Sequence, residues 1–300
     1  MMGFTKLKSE LRNKAPLKLA VAWGVDYAVL RACRDALDLA FIKEAVITGP
    51  ENEIREIAVQ NQLDLNGFTL LDSHSPAEAA NKAVYLVKEN RCDLLMKGHL
   101  NTSVLLRAVL NKESGLRTLG LLSHVALIEL PQPRLALLTD AAMNIKPDLG
   151  QKAQILDNAI DFAWSIGLDN PKVAVLTSVE TVNPQMQDTL DAAALSLMAK
   201  RKQFRKNAIV DGPLAFDNAY SKEAANLKDI DSPVAGEADI FMVPEITAGN
   251  ILYKAFAYAS GFLTAGIIVG AACPIVLTSR SDSHDSKLNA IAVACRSLKR

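Results

Sequence analysis

Pro274-Ile275-Val276-Leu277-Thr278-Ser279-Arg280-Ser281-Asp282-Ser283 is the stretch on which the reading of the fold turns. Its apolar, β-branched run reads as a buried strand, and residues 287–298 beyond it read as a helix. Between the two stand hydroxyls, an arginine and a carboxylate. Arg280 offers a planar fork of donors that matches phosphate oxygens, and the hydroxyls lie close to a helix N-terminus that favours negative charge. The stretch therefore reads as an anion site at the end of a strand. A structural reading stands beside it: Ser283, Asp285 and Ser286 are ordinary helix caps, and Arg280 can serve as an ion-pair partner.

Recurrence of the pattern favours the functional reading. Outward from this stretch, residues 17–22, 44–48, 68–71, 93–96, 135–139, 173–177, 208–210 and 238–243 read as strands, with helical periodicity between them. Strands alternating with helices predict an α/β protein with parallel sheets flanked by helices, and ligands at the carboxyl ends of the strands. Residues 93–96 lead into Lys97-Gly98-His99-Leu100-Asn101-Thr102-Ser103, where a glycine, a lysine, two hydroxyls and an amide precede a helix. This is a second anion-loop candidate, although its order is not that of a P-loop and the chain has no GxGxxG. Residues 261–277 carry no charge, but Gly266, Gly270 and Pro274 divide them into two short strands rather than a membrane span.

Composition limits the partners. Lys plus Arg and Asp plus Glu stand at 33 each, so the chain has no overall field to hold nucleic acid or an anionic membrane. Cys33, Cys92, Cys273 and Cys295 form no CxxC pair, and with an N-terminus that has no apolar signal core they suggest a cytoplasmic protein. The four histidines are dispersed, so a zinc site has little support, and no GxSxG elbow indicates covalent serine catalysis. Three hundred residues suit two domains. Proline and polar residues after Asp140 place the crossing there, giving 1–140 plus 268–300 as a discontinuous first domain and 141–267 as the second.

With the loops assembled, the chain resembles the phosphate acetyltransferase/phosphate butyryltransferase family, closer to the butyryltransferase branch. The resemblance rests on Met96-Lys97-Gly98 with Asn101-Thr102-Ser103; Met143-Asn144-Ile145 with Pro147-Asp148; Ser178-Val179-Glu180 with Val182-Asn183-Pro184; Val210-Asp211-Gly212-Pro213-Leu214 with Asp217-Asn218-Ala219; Val243-Pro244-Glu245 with Ala248-Gly249-Asn250; and 275–283. It implies an isocitrate/isopropylmalate dehydrogenase-like fold of two domains with a cleft between them. It implies the reaction of acyl-CoA with phosphate to give acyl phosphate and CoA, by direct transfer in a ternary complex, in a homo-oligomer. CoA is then a substrate, and no cofactor is expected.

Residue by residue, the resemblance makes Arg280 the holder of the phosphoryl group and Ser279 a hydrogen-bond donor to the developing charge. The acetyltransferase branch has an aspartate seven residues after that serine, thought to deprotonate the CoA thiol, and the count here reaches Ser286. Asp282 and Asp285 are the neighbouring carboxylates, one of which is expected to act as base. Lys97, Gly98, Asn101, Thr102, Ser103, Asn144, Asp211, Pro213, Glu245 and Asn250 are expected to bind substrate. Three alternatives stand beside a short-chain, butyryl-type enzyme. They are a phosphate acetyltransferase, a nicotinamide-dependent dehydrogenase of the same broad fold, and a noncatalytic protein that binds CoA or acyl phosphate.

Overall fold

The computed structural model describes residues 3–131, 134–279 and 282–298. The chain forms two compact units, one made of Phe4–Gly120 with Ala265–Arg300 and the other of Leu121–Thr264 with Gly3.

The first unit runs α1 (Phe4–Leu11), β1 (Leu17–Ala22), α2 (Tyr27–Asp38), β2 (Ile42–Gly49), α3 (Glu51–Gln60), β3 (Phe68–Asp72), α4 (Pro76–Lys88), β4 (Leu94–Lys97) and α5 (Thr102–Val109). Its strands lie in the order β3-β2-β1-β4, and all three of these pairings are parallel. Crossovers from β1 to β2 and on to β3 run one way along the sheet, and the one from β3 to β4 runs back. Because such crossovers are right-handed, α2 and α3 fall on one face and α4 on the other. Leu19, Val21, Leu94, Leu95 and Met96 are accordingly fully buried, as strands covered on both faces require. The reversal of direction makes the carboxyl ends of β1 and β4 the topological switch point of this unit.

The second unit adds β5 (Ser123–Leu130), β6 (Arg134–Thr139), α6 (Leu149–Ser165), β7 (Lys172–Leu176), α7 (Gln187–Lys200), β8 (Ile209–Leu214), α8 (Phe216–Tyr220), α9 (Lys222–Leu227), β9 (Ile240–Met242) and α10 (Ile246–Lys254). A π-helical turn, Ala255–Ala259, continues α10. Strand order is β5-β6-β9-β7-β8, parallel except for the β5–β6 pair. Phe216 on α8, itself partly buried, packs its ring 5.6 Å from Phe241 and 5.8 Å from Phe256 and so closes over this unit's core.

The chain then returns to the first unit through β10 (Thr264–Val269), β11 (Ile275–Val276) and α11 (His284–Ser297). Strand β11 pairs parallel to β4 and antiparallel to β10, and α11 packs against α2.

Two expectations change. The sheets are mixed rather than parallel throughout, because only residues 131–133 separate β5 from β6, and a parallel crossover needs a dozen or more. Those same two strands carry residues 123–139 into the second unit, so the chain leaves the first unit near Gly120 and not near Asp140. Strand β5, which the sequence reading missed, carries an apolar run in Val125-Ala126-Leu127-Ile128, but such a run does not announce its partner or direction. No helix among the described residues is long and apolar enough to cross a membrane.

Candidate active site

In the first unit, three adjacent parallel strands, β1, β4 and β11, end beside one another. From β1 the chain turns through Gly24 to Asp26, whose carboxylate caps α2 by accepting from the Val29 N–H at 2.9 Å. From β4 it passes Gly98, whose N–H reaches the Ala22 carbonyl at 2.9 Å, and His99, whose N–H reaches the Trp23 carbonyl at 2.8 Å. A Cβ on Gly98 would stand 2.3 Å from the Trp23 oxygen, so only glycine lets β4 run on against the end of β1. The close approach read in the sequence is thus to the chain's own backbone. The His99 imidazole Nδ1 lies 3.7 Å from Asp26 Oδ2.

Lys97 is 4% exposed, and its ammonium donates to the Gly98 and Leu100 carbonyls at 3.2 and 3.3 Å. It braces the loop that carries Asn101, Thr102 and Ser103 into the first turn of α5. Asn101 holds the N-cap position without a side-chain cap bond.

The loop after β11 is closed by its own polar groups. Ser279 N–H donates to the Asp282 carboxylate at 2.7 Å, and Asp282 N–H donates to the Ser279 carbonyl at 3.2 Å. Lys287 on the first turns of α11 donates to both the Ser279 and Asp282 carbonyls. Ser283 caps α11 through the Ser286 N–H, and Asp285 stands in its first turn with a largely exposed carboxylate 3.6 Å from His284 Nε2. Just before the loop, Thr278 is buried with no hydrogen-bond partner for its hydroxyl among the described residues. Arg280 lies outside the described residues.

In the second unit, the loops after β6 and β9 meet. Asp140, 4% exposed, accepts from the Ala142 and Met143 N–H groups at 2.9 Å each, from His124 N–H at 3.2 Å and from Asn144 Nδ2 at 2.6 Å. Asn144 also reaches the Leu122 carbonyl at 3.0 Å, and Asn250 Nδ2 donates to the Ala141 carbonyl at 3.2 Å. Glu245 caps α10 through the Thr247 and Ala248 N–H groups at 2.8 Å; burial pushes its carboxyl up, but those amides outweigh it and hold the pKa low. A Cβ on Gly249 would lie 2.5 Å from the Asp140 carbonyl, so α10 can close onto this loop only with glycine there.

Of the residues expected from sequence, Asn144, Glu245 and Asn250 are thus brought together. Asp211 and Pro213 lie on β8, beyond β7 from that cluster, with Pro213 following a cis peptide bond. Glu180 and Asn218, from two of the quoted stretches, meet at 2.6 Å, and Lys228 bridges Glu180 and Asp217. Three residues at these sites had no assigned role in the sequence: Asp26, Asp140 and Lys287. Asp26 carried a usable signal, an Asp between a strand and an apolar-periodic helix. Lys287 carried none, because a lysine on a helix is ordinarily solvated.

The fold and these loops define a mixed α/β protein with polar loops at strand carboxyl ends. The family model described as phosphate acetyl/butaryl transferase matches residues 76–295, and the chain belongs to that family. It is 46% identical to a phosphate butyryltransferase of Clostridium acetobutylicum over 97% of each chain. It is 42% identical to a phosphate acetyltransferase of Rhizobium meliloti over 97% of this chain and 92% of that one. Among solved structures, a branched-chain phosphotransacylase from Enterococcus faecalis V583 superposes with a TM-score of 0.82 at 34% identity, covering 94% of this chain and 98% of its own.

Proposed function

We propose that this protein catalyses acyl-CoA + phosphate = acyl phosphate + CoA on a short acyl chain, butyryl or similar, by direct transfer in a ternary complex. The observation that carries the reading is the near full-length likeness to a phosphate butyryltransferase. The chain is a phosphate acyltransferase of the cytoplasm, a compartment supported by four free, buried cysteines, and it works as a homo-oligomer. Its units are the domains of an isocitrate/isopropylmalate dehydrogenase-like fold; what supports this is a chain that leaves the first unit near Gly120 and returns near Ala265.

The chemistry sets what the residues must do. Thiolate attack on an acyl phosphate, or phosphate attack on a thioester, brings two anionic reactants together and develops an oxyanion. Arg280 holds the phosphoryl group and the Ser279 hydroxyl donates to the developing charge, roles carried over from the family. Asp282 is occupied in closing its loop, so the thiol proton goes to Asp285, whose carboxylate stands exposed at the head of α11. The remaining substrate-binding roles, those of Lys97, Gly98, Asn101, Thr102, Ser103, Asn144, Asp211, Pro213, Glu245 and Asn250, are likewise carried over from the family.

The experiment is release of free thiol from acetyl- through hexanoyl-CoA, with and without phosphate. Strictly phosphate-dependent release with a maximum at butyryl-CoA is expected. A maximum at acetyl-CoA moves the protein to the acetyltransferase branch. CoA binding without any release, from folded protein, replaces the enzyme with a CoA-binding protein.

A further inference from the structure

Lys287 is 2% exposed. A lysine buried this deeply loses its hydration and its side-chain freedom, and an apolar residue at the same helical position would pack at lower cost. Burial pushes its pKa down, against which the Asp26 and Asp282 carboxylates pull it up. Its ammonium is spent on one object: it donates to the Ser279 carbonyl at 3.3 Å and to the Asp282 carbonyl at 2.5 Å, the two ends of a single four-residue loop.

Those bonds complete a lock. Ser279 is held by its N–H on the Asp282 carboxylate, by its carbonyl on the Asp282 N–H, and by the same carbonyl on Lys287. Asp282 is held through its carboxylate, its N–H and its carbonyl. Without the ammonium, the Ser279 and Asp282 carbonyls both lose this partner, and with it the bond that ties the two ends of the loop to α11. Asp26, which faces the lysine from the head of α2, leans in turn on His99 from the end of β4. Lys287 therefore ties the loop after β11 to the first turns of α11, within the field of the Asp26 carboxylate.

We propose that Lys287 is a positioning residue for acyl transfer, a buried cation that clamps both ends of the Ser279–Asp282 loop and so fixes where the Ser279 hydroxyl meets the reacting phosphate. This rests on the acyltransferase reading above. A lysine kept only for stability would lower stability on removal and leave turnover per folded molecule alone. A lysine kept for positioning does the reverse, since a group misplaced by about 1 Å costs about 100-fold in rate.

Lys287→Met and Lys287→Arg are compared with the wild type, using butyryl-CoA and phosphate and measuring kcat, both KM values and the thermal midpoint. For Lys287→Met the expected result is kcat about 100-fold lower with the phosphate KM raised, the butyryl-CoA KM unchanged and the midpoint equal or higher. For Lys287→Arg, whose guanidinium keeps the charge with a different reach, kcat is expected about tenfold below wild type, thus about tenfold above the Met variant. Wild-type kcat and phosphate KM in Lys287→Met overturn the proposal, as does a lowered midpoint with turnover per folded molecule unchanged. If the Met variant is recovered unfolded, Lys287→Arg decides alone, and wild-type kcat in it overturns the proposal. Absence of phosphate-dependent release from the wild type overturns the acyltransferase reading itself and this role with it, an outcome distinct from any difference between variants.

Discussion

The Ser279 main-chain N–H and the Asp282 carboxylate are joined at 2.7 Å, so one of the two carboxylates beside the family's Ser-Arg pair is already committed to holding its loop. Asp285, with a side chain 63% exposed, is not so committed. Replacing Asp285 by Asn is expected to lower kcat by about 10²–10⁴, the usual contribution of a positioned base, with KM values little changed. Replacing Asp282 by Ala is expected instead to raise the phosphate KM as the loop loosens. Steady-state kinetics of the two variants separate the roles, and a base effect at Asp282 with none at Asp285 would reverse the assignment.

Arg280 lies outside the described residues, and its role comes from the resemblance. Lysine in its place keeps the charge and loses the bidentate fork. A kcat lower by about 10²–10³ is expected for Arg280→Lys, the scale of losing one donor to a developing charge. Wild-type turnover in both Arg280→Lys and Arg280→Ala would remove Arg280 from the mechanism.

His124 gives a pH signature in the second unit. Its imidazole is buried, its Nδ1 has no partner among the described residues, and its ring stands edge-on to Tyr253 at 6.3 Å. Burial lowers its pKa, with the Asp140 carboxylate opposing. In the unfolded chain the same group titrates near 6.5. Above about pH 6.5 neither state is protonated; as pH falls below it the unfolded state takes up the proton first, so stability drops until the folded pKa is reached. Urea midpoints at pH 7 and pH 5 should therefore differ more in the wild type than in His124→Phe, which keeps a ring against Tyr253. Equal pH dependence in the two proteins would exclude His124 as a source of the acid lability.

Much of this was legible in the sequence, for identifiable reasons. The strand before Ser279 and the helix after it are read from apolar runs that end abruptly in hydroxyls and charge, and Lys97-Gly98 is read from a glycine that the end of β1 does require. What was not legible depends on partners distant in the chain. The antiparallel pairing of β5 with β6 is set by a short connection, not by alternation. Asp140 gathers donors from His124 on one side and Asn144 on the other, a convergence no spacing announces. Lys287 reads as a solvated helix residue until α11 is packed, when its ammonium is found turned under the loop it follows.

A second buried lysine has a different logic. Lys152 on α6 and Asp191 on α7 meet at 2.6 Å with side chains 8% and 6% exposed, and Gln187 donates to the other Asp191 oxygen at 2.8 Å. Here the charge is answered by a carboxylate, so removing the carboxylate strands a buried ammonium. Asp191→Ala is expected to lose about 3–5 kcal/mol, and adding Lys152→Met to recover most of it. Denaturant unfolding of the single and double variants checks this; a single variant as stable as wild type would show that the pair is not desolvated.

The cysteines bear on how the reaction itself is measured. Burial raises the pKa of the Cys33 and Cys273 thiols to about 12 and of Cys92 to about 11. At pH 8 a thiol of pKa 12 is ionised in about one molecule in ten thousand, whereas a free thiol near 8.5 is ionised to about a quarter, and the thiolate is the species that reacts. Cys295 is also buried, its Sγ 3.7 Å from the Phe41 carbonyl. Native protein mixed with a disulfide reagent at pH 8 is therefore expected to give no signal in the minutes that free CoA takes to react completely, and all four thiols on denaturation. Thiol release in the acyl-CoA experiment would then report the substrate alone. Rapid labelling of one equivalent in the native state would mean that a cysteine opens to solvent, and would require the reaction to be followed through acyl phosphate instead.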